Sequence, residues 1–387
     1  MDSVTVNRRA EQRWAAGHPW IFRSDLLERP DSAAGAVRVQ SARGRPIGVA
    51  LWSPKSEISL RMLDRDPLAE IDGAWWHRRI GDAVRRRTGV SSVATAYRLV
   101  HGEADGCPSL VCDRYGEHVV VQLLSAGVDR FRNEIVDALI DLIEPAGILA
   151  RNDVPVRTKE GLARNVEALH GHVPREIEVL ENGVRYLAAP WDGQKTGAFL
   201  DQRENRALAG KVSRGRALDC FSYHGSFALH LAAGADSVTA LDSSAPALER
   251  ARVNAELNGF GNINFAEADA FDFLRAAEAA GERYDTVVLD PPAFAKTRQS
   301  LPGALRGYKE INLRGMKLLA PGGYLFTASC SFHLSRELFL EMLRDAAADS
   351  GRTLALRATT GQPEDHPEIL TIPETGYIKG ALVQAVD

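Results

Sequence analysis

Residues 216–242 decide the fold: R-A-L-D-C-F-S-Y-H-G-S-F-A-L-H-L-A-A-G-A-D-S-V-T-A-L-D. A short apolar run passes through a polar turn into an apolar stretch with helical spacing, and a second short apolar run follows. The pattern predicts, in order, a strand over 216–221, a helix over 227–233 and a strand over 237–242. Two strands joined by a helix form a parallel pair with the helix on one face of the sheet.

The same alternation continues toward the C-terminus. A hairpin with an Asn182-Gly183 turn comes before it, and residues 177–387 are therefore predicted to form a Rossmann-like α/β domain with a parallel sheet. The further predicted elements are a helix over 245–258, a strand over 263–268, a helix over 270–280, a strand over 284–290, a helix over 306–319 and a strand over 324–329.

The first 176 residues follow different patterns. Residues 1–72 carry short strand-like runs between Gly, Pro and Ser turns, which predicts an all-β domain. Residues 73–176 mix helical and strand patterns, which predicts a small α+β domain. The strand-like runs in the first domain are 36–40, 46–52 and 58–63, and the second domain has strands over 109–113, 119–124 and 147–150 and a helix over 130–143.

Composition narrows the class of protein. The chain has 387 residues, of which 45% are hydrophobic and 25% charged, as in ordinary globular proteins of more than one domain. It has no apolar run long enough for a membrane helix, and its N-terminus is unlike a signal peptide. Four cysteines without metal-like spacing predict a cytoplasmic protein with neither disulfides nor a bound metal.

Positive charge is concentrated at the front of the chain. Residues 1–100 carry 17 Lys and Arg against 11 Asp and Glu, although the whole chain has a net charge of −4. The densest stretch is W-W-H-R-R-I-G-D-A-V-R-R-R, residues 75–87, whose apolar residues have helical spacing. Its arginines either contact the phosphates of a nucleic-acid backbone or form a solvated helix face. They are Arg78, Arg79, Arg85, Arg86 and Arg87.

Acidic residues follow the predicted strands. Parallel strands present their carboxyl ends at one edge of a sheet, where ligands bind. The turn after the first strand keeps only Gly225 of a G-x-G-x-x-G motif, which favours a cofactor without phosphates there. Asp242 suits a ribose and Asp269 an adenine amine, although each acid could instead cap a helix. The acids at strand ends are Asp219, Asp242, Asp269 and Asp290.

The fourth strand ends in D-P-P-A-F, residues 290–294. Two consecutive prolines hold the chain stiff and extended, which would fix Asp290 and the Pro291 carbonyl toward a ligand. Phe294 could stack on an extruded base, or it could pack within a rigid loop.

The last predicted strand ends in T-A-S-C-S, residues 327–331. A thiol at the polar end of a strand has little to pack against, so Cys330 is predicted to lie at the functional edge of the sheet, although a small buried hydrophobic residue is the alternative.

These features resemble class I S-adenosylmethionine-dependent methyltransferases. The resemblance narrows with Q-K-T-G-A-F-L-D-Q-R-E-N (194–205), D-C-F-S-Y-H-G-S-F (219–227), R-G-Y-K-E-I-N (306–312) and G-H-P-W-I-F (17–22). Together with D-P-P-A-F and T-A-S-C-S they are similar to the bacterial 23S ribosomal RNA cytosine-C5 methyltransferase family known as ribosomal RNA large subunit methyltransferase I. That resemblance implies a PUA domain, a central α+β domain and a Rossmann-like methyltransferase domain.

The resemblance also implies roles for single residues. It makes Cys330 the nucleophile that adds to cytosine C6, with Asp290 holding the base. Many related RNA methyltransferases carry a second cysteine where this chain has Pro292, so the base that removes the C5 proton has no candidate here. The implied contacts to S-adenosylmethionine are Gln202, Arg203, Asp219, Phe221, Ser222, Tyr223, Gly225, Asp242, Asp269, Ala270, Asp290 and Pro291.

Two other functions are compatible with the residues. D-P-P-A-F also suits methylation of an exocyclic amine, guanine N2 or adenine N6, which needs no cysteine. A non-catalytic RNA-binding protein with a degenerate methyltransferase fold is the second alternative, although the acids at the strand ends argue against it. The expected partner is ribosomal RNA, and a homodimer is compatible with the sequence.

Overall fold

The structure, a computed structural model, describes every residue of the chain except Lys296. The described residues form two compact units, and each is considered by itself. The first unit comprises Met1–Leu180, Ala188–Leu200 and Glu364–Thr375, and the second comprises Glu181–Leu187, Asp201–Pro363 and Gly376–Asp387.

A six-stranded, mostly antiparallel sheet begins the first unit. The predicted strands are confirmed. The structure adds a helix at Arg8–Ala15, and the Asn7 side chain caps its first turn by accepting a hydrogen bond from the Ala10 amide. The strand order is β2-β6-β5-β4-β1-β3. The elements are β1 Ser3–Val6, α1 Arg8–Ala15, β2 Trp20–Ile21, β3 Leu26–Glu28, β4 Gly35–Ser41, β5 Pro46–Trp52 and β6 Leu60–Asp64.

A five-stranded sheet with helices follows, as the α+β prediction requires. Its order is β11-β10-β9-β8-β7, and two of its strands, β7 and β11, were not predicted. Trp75 and Trp76 of the basic helix are buried in its core, which leaves the arginines of that helix on other faces. The elements are α2 Gly73–Arg86, β7 Ala96–His101, β8 Leu110–Tyr115, β9 His118–Leu123, α3 Ala126–Asp129, α4 Arg132–Ile143, β10 Gly147–Arg151, α5 Pro155–Lys159 and β11 Val166–Gly171.

A hairpin, β12 Ile177–Glu181 and β13 Val184–Ala188, comes before the large sheet. Asn182 and Gly183 both have positive φ, 48° and 85°. This is the conformation that an Asn-Gly turn favours in a two-residue hairpin, as predicted.

A seven-stranded sheet organises the second unit, and the Rossmann-like prediction is confirmed. Its order is β16-β15-β14-β17-β18-β20-β19. Strands β14 to β18 pair in parallel, whereas β20 pairs antiparallel with both β18 and β19. The elements are α6 Arg203–Val212, β14 Arg216–Cys220, α7 Ser226–Ala232, β15 Ser237–Asp242, α8 Ala245–Leu257, β16 Ile263–Glu267, α9 Ala270–Ala279, β17 Tyr284–Leu289, α10 Leu301–Lys317, β18 Leu319–Ser329, α11 Arg336–Ser350, β19 Leu354–Thr360 and β20 Lys379–Ala385.

The chain order reverses between β14 and β17. From β14 the sheet grows through β15 to β16 on one side, and from β17 it grows through β18 on the other. Ligands of such sheets bind at the carboxyl ends of the strands at this reversal. Phe221 and Asp290 directly follow these two strands, so both lie at the predicted edge.

Among the residues that the structure describes, no helix combines the length and the apolar composition needed to cross a lipid bilayer.

Candidate active site

The turn after β14 has an uncommon backbone conformation. Phe221 and Tyr223 have φ of 64° and 49°, and Gly225 has φ of 83°. A β-carbon on Gly225 would lie 3.0 Å from the β-carbon of Ala251, so both space and backbone favour glycine there. Positive φ at two residues other than glycine costs free energy and is often found at ligand sites. The turn therefore has the form of a built binding loop.

Asp219 lies behind this turn and is buried. Its Oδ2 accepts from the Ala228 amide at 2.9 Å, near the start of α7. Burial raises the pKa of this carboxyl well above its ordinary value, and the negative charges of Asp290 and Asp242 raise it further. The three acids are thus close enough to influence each other.

Asp242 and Asp269 both accept hydrogen bonds from nearby amides. Asp242 accepts from Tyr223 N and Ser244 N, each at 2.9 Å, which ties β15 to the turn after β14. Asp269 is exposed and caps α9, with the predicted contact Ala270 buried directly behind it. Asp269 therefore caps a helix, and its predicted contact with the cofactor stays a prediction. A carboxylate has about four lone-pair sites, so the cap still leaves room for a ligand.

Asp290, which directly follows β17, is hydrogen-bonded to a predicted cofactor contact from a different part of the chain. Gln202 is buried and donates from Nε2 to Asp290 Oδ1 at 2.8 Å. The next residue, Arg203, is also buried and donates to Glu204 at 2.8 Å. Pro291 is buried beside half-buried Asp290. The structure thus brings the L-D-Q-R segment to the D-P-P-A-F segment.

The polar atoms around the turn fit S-adenosylmethionine. Asp219 Oδ1 and Ser222 Oγ are buried, and neither has a hydrogen-bond partner among the described residues. Buried polar atoms generally need a partner, and the hydroxyl and amine groups of such a ligand can provide one. With Asp242 at the neighbouring strand end, the turn can hold a ribose and an amino-acid chain without a phosphate cradle.

Phe294 belongs to a cluster of aromatic rings. Its ring centroid lies 4.6 Å from that of Tyr308, 6.0 Å from that of Phe271 and 6.5 Å from that of Phe221. The ring is half-buried. Packing within a rigid loop is therefore part of its role, and stacking on a base would use its exposed part.

Two buried serines hold Cys330 in place at the end of β18. Ser331 Oγ lies 2.8 Å from the Tyr308 hydroxyl and accepts from Ala295 N at 3.1 Å. Ser329 Oγ accepts from Ser331 N at 3.2 Å. The main chain on both sides of the thiol is therefore fixed, and the D-P-P-A-F loop is tied to the same strand end.

Exposure distinguishes Cys330 from the other cysteines. Cys107, Cys112 and Cys220 are fully buried, and burial raises the pKa of each of these thiols above its ordinary value. Cys330 is partly exposed. Since the thiolate is the reactive form and needs access, Cys330 is the cysteine suited to nucleophilic chemistry.

The sequence did not identify two residues of this site. Tyr308 lies within the quoted R-G-Y-K-E-I-N motif, which could have indicated it. Lys379 lies in β20, is 5% exposed and donates from Nζ to the Ser331 carbonyl at 2.6 Å. The sequence signal that could have indicated Lys379 is the presence of a lysine in a short apolar strand near the C-terminus.

The arginines of α2 do not all face solvent. Arg87, which was predicted to contact phosphates, is 2% exposed and makes a two-point ion pair with Asp105, at 2.7 and 2.6 Å, so its guanidinium already has a partner inside the protein. Arg86 also bonds to Asp105, Arg79 bonds to Asp64, and Arg85 bonds to Asp82 while staying exposed. Arg78 is exposed. The side chains that a phosphate backbone can reach most readily are Arg78 and Arg85.

Comparison with known proteins identifies the class to which this fold and site belong. The family described as S-adenosylmethionine-dependent methyltransferase matches residues 156–371, and a PUA-like domain matches residues 4–65. The protein is an S-adenosylmethionine-dependent methyltransferase with an N-terminal PUA-like domain. Among the described residues, no cluster of three or more His, Cys, Asp or Glu side chains could hold a metal ion.

Relatives with similar full-length sequences identify the family more closely. Ribosomal RNA large subunit methyltransferase I of Tolumonas auensis is 39% identical over 99% of both chains. The protein of the same name from Aeromonas salmonicida is 41% identical over 95% of both. The chain belongs to the ribosomal RNA large subunit methyltransferase I family.

Solved structures share the fold. An S-adenosylmethionine-dependent methyltransferase from Streptococcus mutans aligns over 99% of this chain and 100% of its own, with a TM-score of 0.83 and 21% identity. SMU.776, described as a methyltransferase and solved with S-adenosylhomocysteine, aligns over the same shares with a TM-score of 0.84 and 21% identity. At this identity the likeness concerns the fold alone.

Proposed function

We propose that this protein methylates C5 of a cytosine in 23S ribosomal RNA, with Cys330 as the nucleophile. The names of its relatives support ribosomal RNA as the substrate class. The observation that carries the choice of C5 is Cys330 itself, a partly exposed thiol between two buried serines at the functional edge of the sheet. Methylation of an exocyclic amine requires no such thiol.

The chemistry explains why a thiol is needed. C5 of cytosine is a weak nucleophile, and bound S-adenosylmethionine supplies an electrophilic methyl group. After the Cys330 thiol loses its proton, the thiolate forms a bond to C6, and C5 becomes nucleophilic as in an enamine. C5 then bonds to the methyl carbon as the bond from that carbon to the sulfonium sulfur breaks, and S-adenosylhomocysteine is the leaving group. When the C5 proton passes to a base, its electron pair returns to the ring, and the bond between C6 and sulfur breaks to release the Cys330 thiolate.

Neighbouring residues would position the base. Asp290 ends the strand next to Cys330, since Leu289 pairs with Thr327 in the sheet. A carboxyl group there can accept from the exocyclic amine of cytosine or bind at N3. Gln202 fixes one oxygen of this carboxyl group, so its orientation is set before the base arrives.

The test uses unmethylated 23S ribosomal RNA made by transcription, with S-adenosylmethionine. Cys330→Ala should abolish methylation and leave S-adenosylmethionine affinity nearly unchanged, because the proposed cofactor contacts lie on other strands. The matched control is Cys112→Ala, which removes a fully buried thiol from the first unit and should methylate normally.

RNA containing 5-fluorocytidine gives a second readout. The fluorine at C5 blocks the final elimination, so the wild-type protein and Cys112→Ala should form a covalent adduct, and Cys330→Ala none. A Cys330→Ala protein that methylates at a comparable rate would contradict the covalent mechanism. Mass spectrometry of the nucleosides would then show whether the methyl group is on an exocyclic amine.

A further inference from the structure

Lys379 is a buried lysine next to the candidate nucleophile. It is 5% exposed, and its Nζ donates to the Ser331 carbonyl at 2.6 Å and to the Tyr377 carbonyl at 2.9 Å. Burying an ammonium group costs free energy unless polar atoms surround it, and lysine is rarely fully buried. We therefore expect the buried ammonium group of Lys379 to have a structural or functional role.

The sheet places this lysine beside Cys330. Strand β20 pairs antiparallel with β18, and Lys379 lies opposite Ser329 in that register. From there its ammonium group donates to the carbonyl of Ser331, the residue that directly follows Cys330. Tyr308 holds the Ser331 hydroxyl from α10. Ser331, which follows Cys330, is thus held by hydrogen bonds from two separate elements, β20 and α10.

Residues of opposite charge lie on the two sides of the end of β18. Asp290 ends β17 on one side, and Lys379 begins β20 on the other. Tyr308 on α10 keeps its proton, because burial raises the pKa of its hydroxyl. His333 lies on the turn that follows Cys330 and is half-buried. A second negative charge beside the Asp290 carboxylate is unfavourable unless a nearby cation compensates it.

We propose that Lys379 is a positioning residue for Cys330. The ammonium group of Lys379 fixes the end of β18 and supplies the positive charge that favours the thiolate form of Cys330. This role rests on the proposed function for its use in catalysis. The ionisation itself belongs to the protein alone and can be measured without RNA. An ordinary cysteine is only a few per cent thiolate at neutral pH, so a nearby buried cation would increase the reactive fraction.

The experiment measures alkylation of Cys330 by iodoacetamide in the full-length protein, from about pH 6 to about pH 10, with mass spectrometry of the labelled peptide. The other three cysteines are fully buried, so Cys330 is the thiol that labels in the folded protein. Cys330→Ser sets the background. Lys379→Gln keeps an N–H donor but removes the charge, and Lys379→Arg keeps the charge.

In the wild-type protein, the labelling midpoint should lie below the usual thiol pKa of about 8.5. Lys379→Gln should raise the midpoint, and the rate at neutral pH should fall about tenfold for each unit of that rise. Lys379→Arg should stay close to wild type. If Lys379→Gln labels with the wild-type profile, the lysine is only a structural tie.

Failure of folding and failure of the proposed function give different results. S-adenosylmethionine binding and thermal unfolding show whether Lys379→Gln folds. If it does not fold, the pH profile of Cys330 labelling in the wild-type protein is the test, and a labelling midpoint at or above about pH 8.5 overturns the role of Lys379. If the thiol has a low midpoint that depends on Lys379 but 5-fluorocytidine RNA forms no adduct, the electrostatic role stands and cytosine-C5 methylation fails.

Discussion

The Tyr308 hydroxyl lies 2.8 Å from Ser331 Oγ, and this contact joins α10 to the end of β18. The same hydroxyl accepts from the Phe294 amide at 3.3 Å. One phenol group therefore connects the D-P-P-A-F loop with the strand end that carries Cys330. The loop and Cys330 are therefore held in fixed positions by a side chain that need not touch the substrate.

Tyr308→Phe should test this connection. Phenylalanine keeps the ring that packs 4.6 Å from Phe294 but removes the hydroxyl. We expect kcat for RNA methylation to fall roughly 10- to 100-fold, because small displacements of catalytic groups have large effects on rate. S-adenosylmethionine affinity should not change. The matched control is Tyr324→Phe, a tyrosine in β18 away from its carboxyl end. Equal kcat in Tyr308→Phe and wild type would contradict the positioning role.

Asp242→Ala should weaken S-adenosylmethionine binding. Loss of hydrogen bonds from a charged acceptor typically costs about 1.5–3 kcal/mol, which corresponds to roughly 10- to 150-fold in affinity. Isothermal titration calorimetry measures this directly. Asp236→Ala, which removes an exposed acid just before β15, is the control and should bind as wild type does. Unchanged affinity in Asp242→Ala would mean that this acid only organises the backbone of its turn.

The exposed arginines of α2 should contribute to RNA binding through phosphates. For single-stranded RNA, each lost phosphate contact reduces the slope of log K against log salt by about 0.7. Arg78→Gln combined with Arg85→Gln should therefore flatten the slope by roughly 1.4. Arg283→Gln, at an exposed position of the second unit, is the charge-matched control. The same slope in the double variant and wild type would identify this helix face as merely solvated.

Arg87 is left out of that variant for a physical reason. Its guanidinium is buried against Asp105, and removing it would leave that buried carboxylate with only the half-exposed Arg86 as an ion-pair partner. Breaking such a pair typically costs about 3–5 kcal/mol of stability. Any loss of RNA binding would then reflect unfolding.

His224 should make stability depend on pH. Burial, with the positive charge of Arg206, lowers the pKa of this histidine from 6.5 to about 4. The folded state therefore keeps the ring neutral, whereas the unfolded chain takes up a proton as the pH falls below about 6.5. The stability from this group is fully present above that pH and is lost as the pH falls toward about 4.

His224→Phe removes this titration. It keeps a ring against Tyr186 and breaks no hydrogen bond among the described residues, because neither ring nitrogen has a partner there. Between about pH 7 and about pH 5, the variant should lose about 2 kcal/mol less unfolding free energy than wild type, as measured by urea denaturation. His170→Gln, at an exposed position, should follow wild type. Parallel losses in wild type and His224→Phe would contradict the prediction.

Local patterns determined the main elements of the second unit. The apolar run predicted as a strand over 284–290 forms β17 at Tyr284–Leu289, and the run over 324–329 forms the end of β18. These predictions succeed because apolar periodicity and turn residues act on neighbouring residues, which the sequence shows directly. The edge carrying Asp219, Asp242, Asp290 and Cys330 follows from the same patterns, since parallel strands end together.

Contacts between distant residues were decided by the tertiary structure. Arg87 fits the polar side of a helical pattern, yet it lies at the C-cap of α2, where the backbone leaves the helix and the side chain reaches Asp105 instead of solvent. Lys379 contacts Ser331 across 48 residues of chain, because β20 lies between β18 and β19 in the sheet although it follows β19 in the chain. Periodicity reports which face of an element is apolar. It contains no information about which charged group from elsewhere in the chain will meet a given side chain, because that depends on how the strands are ordered in the folded sheet.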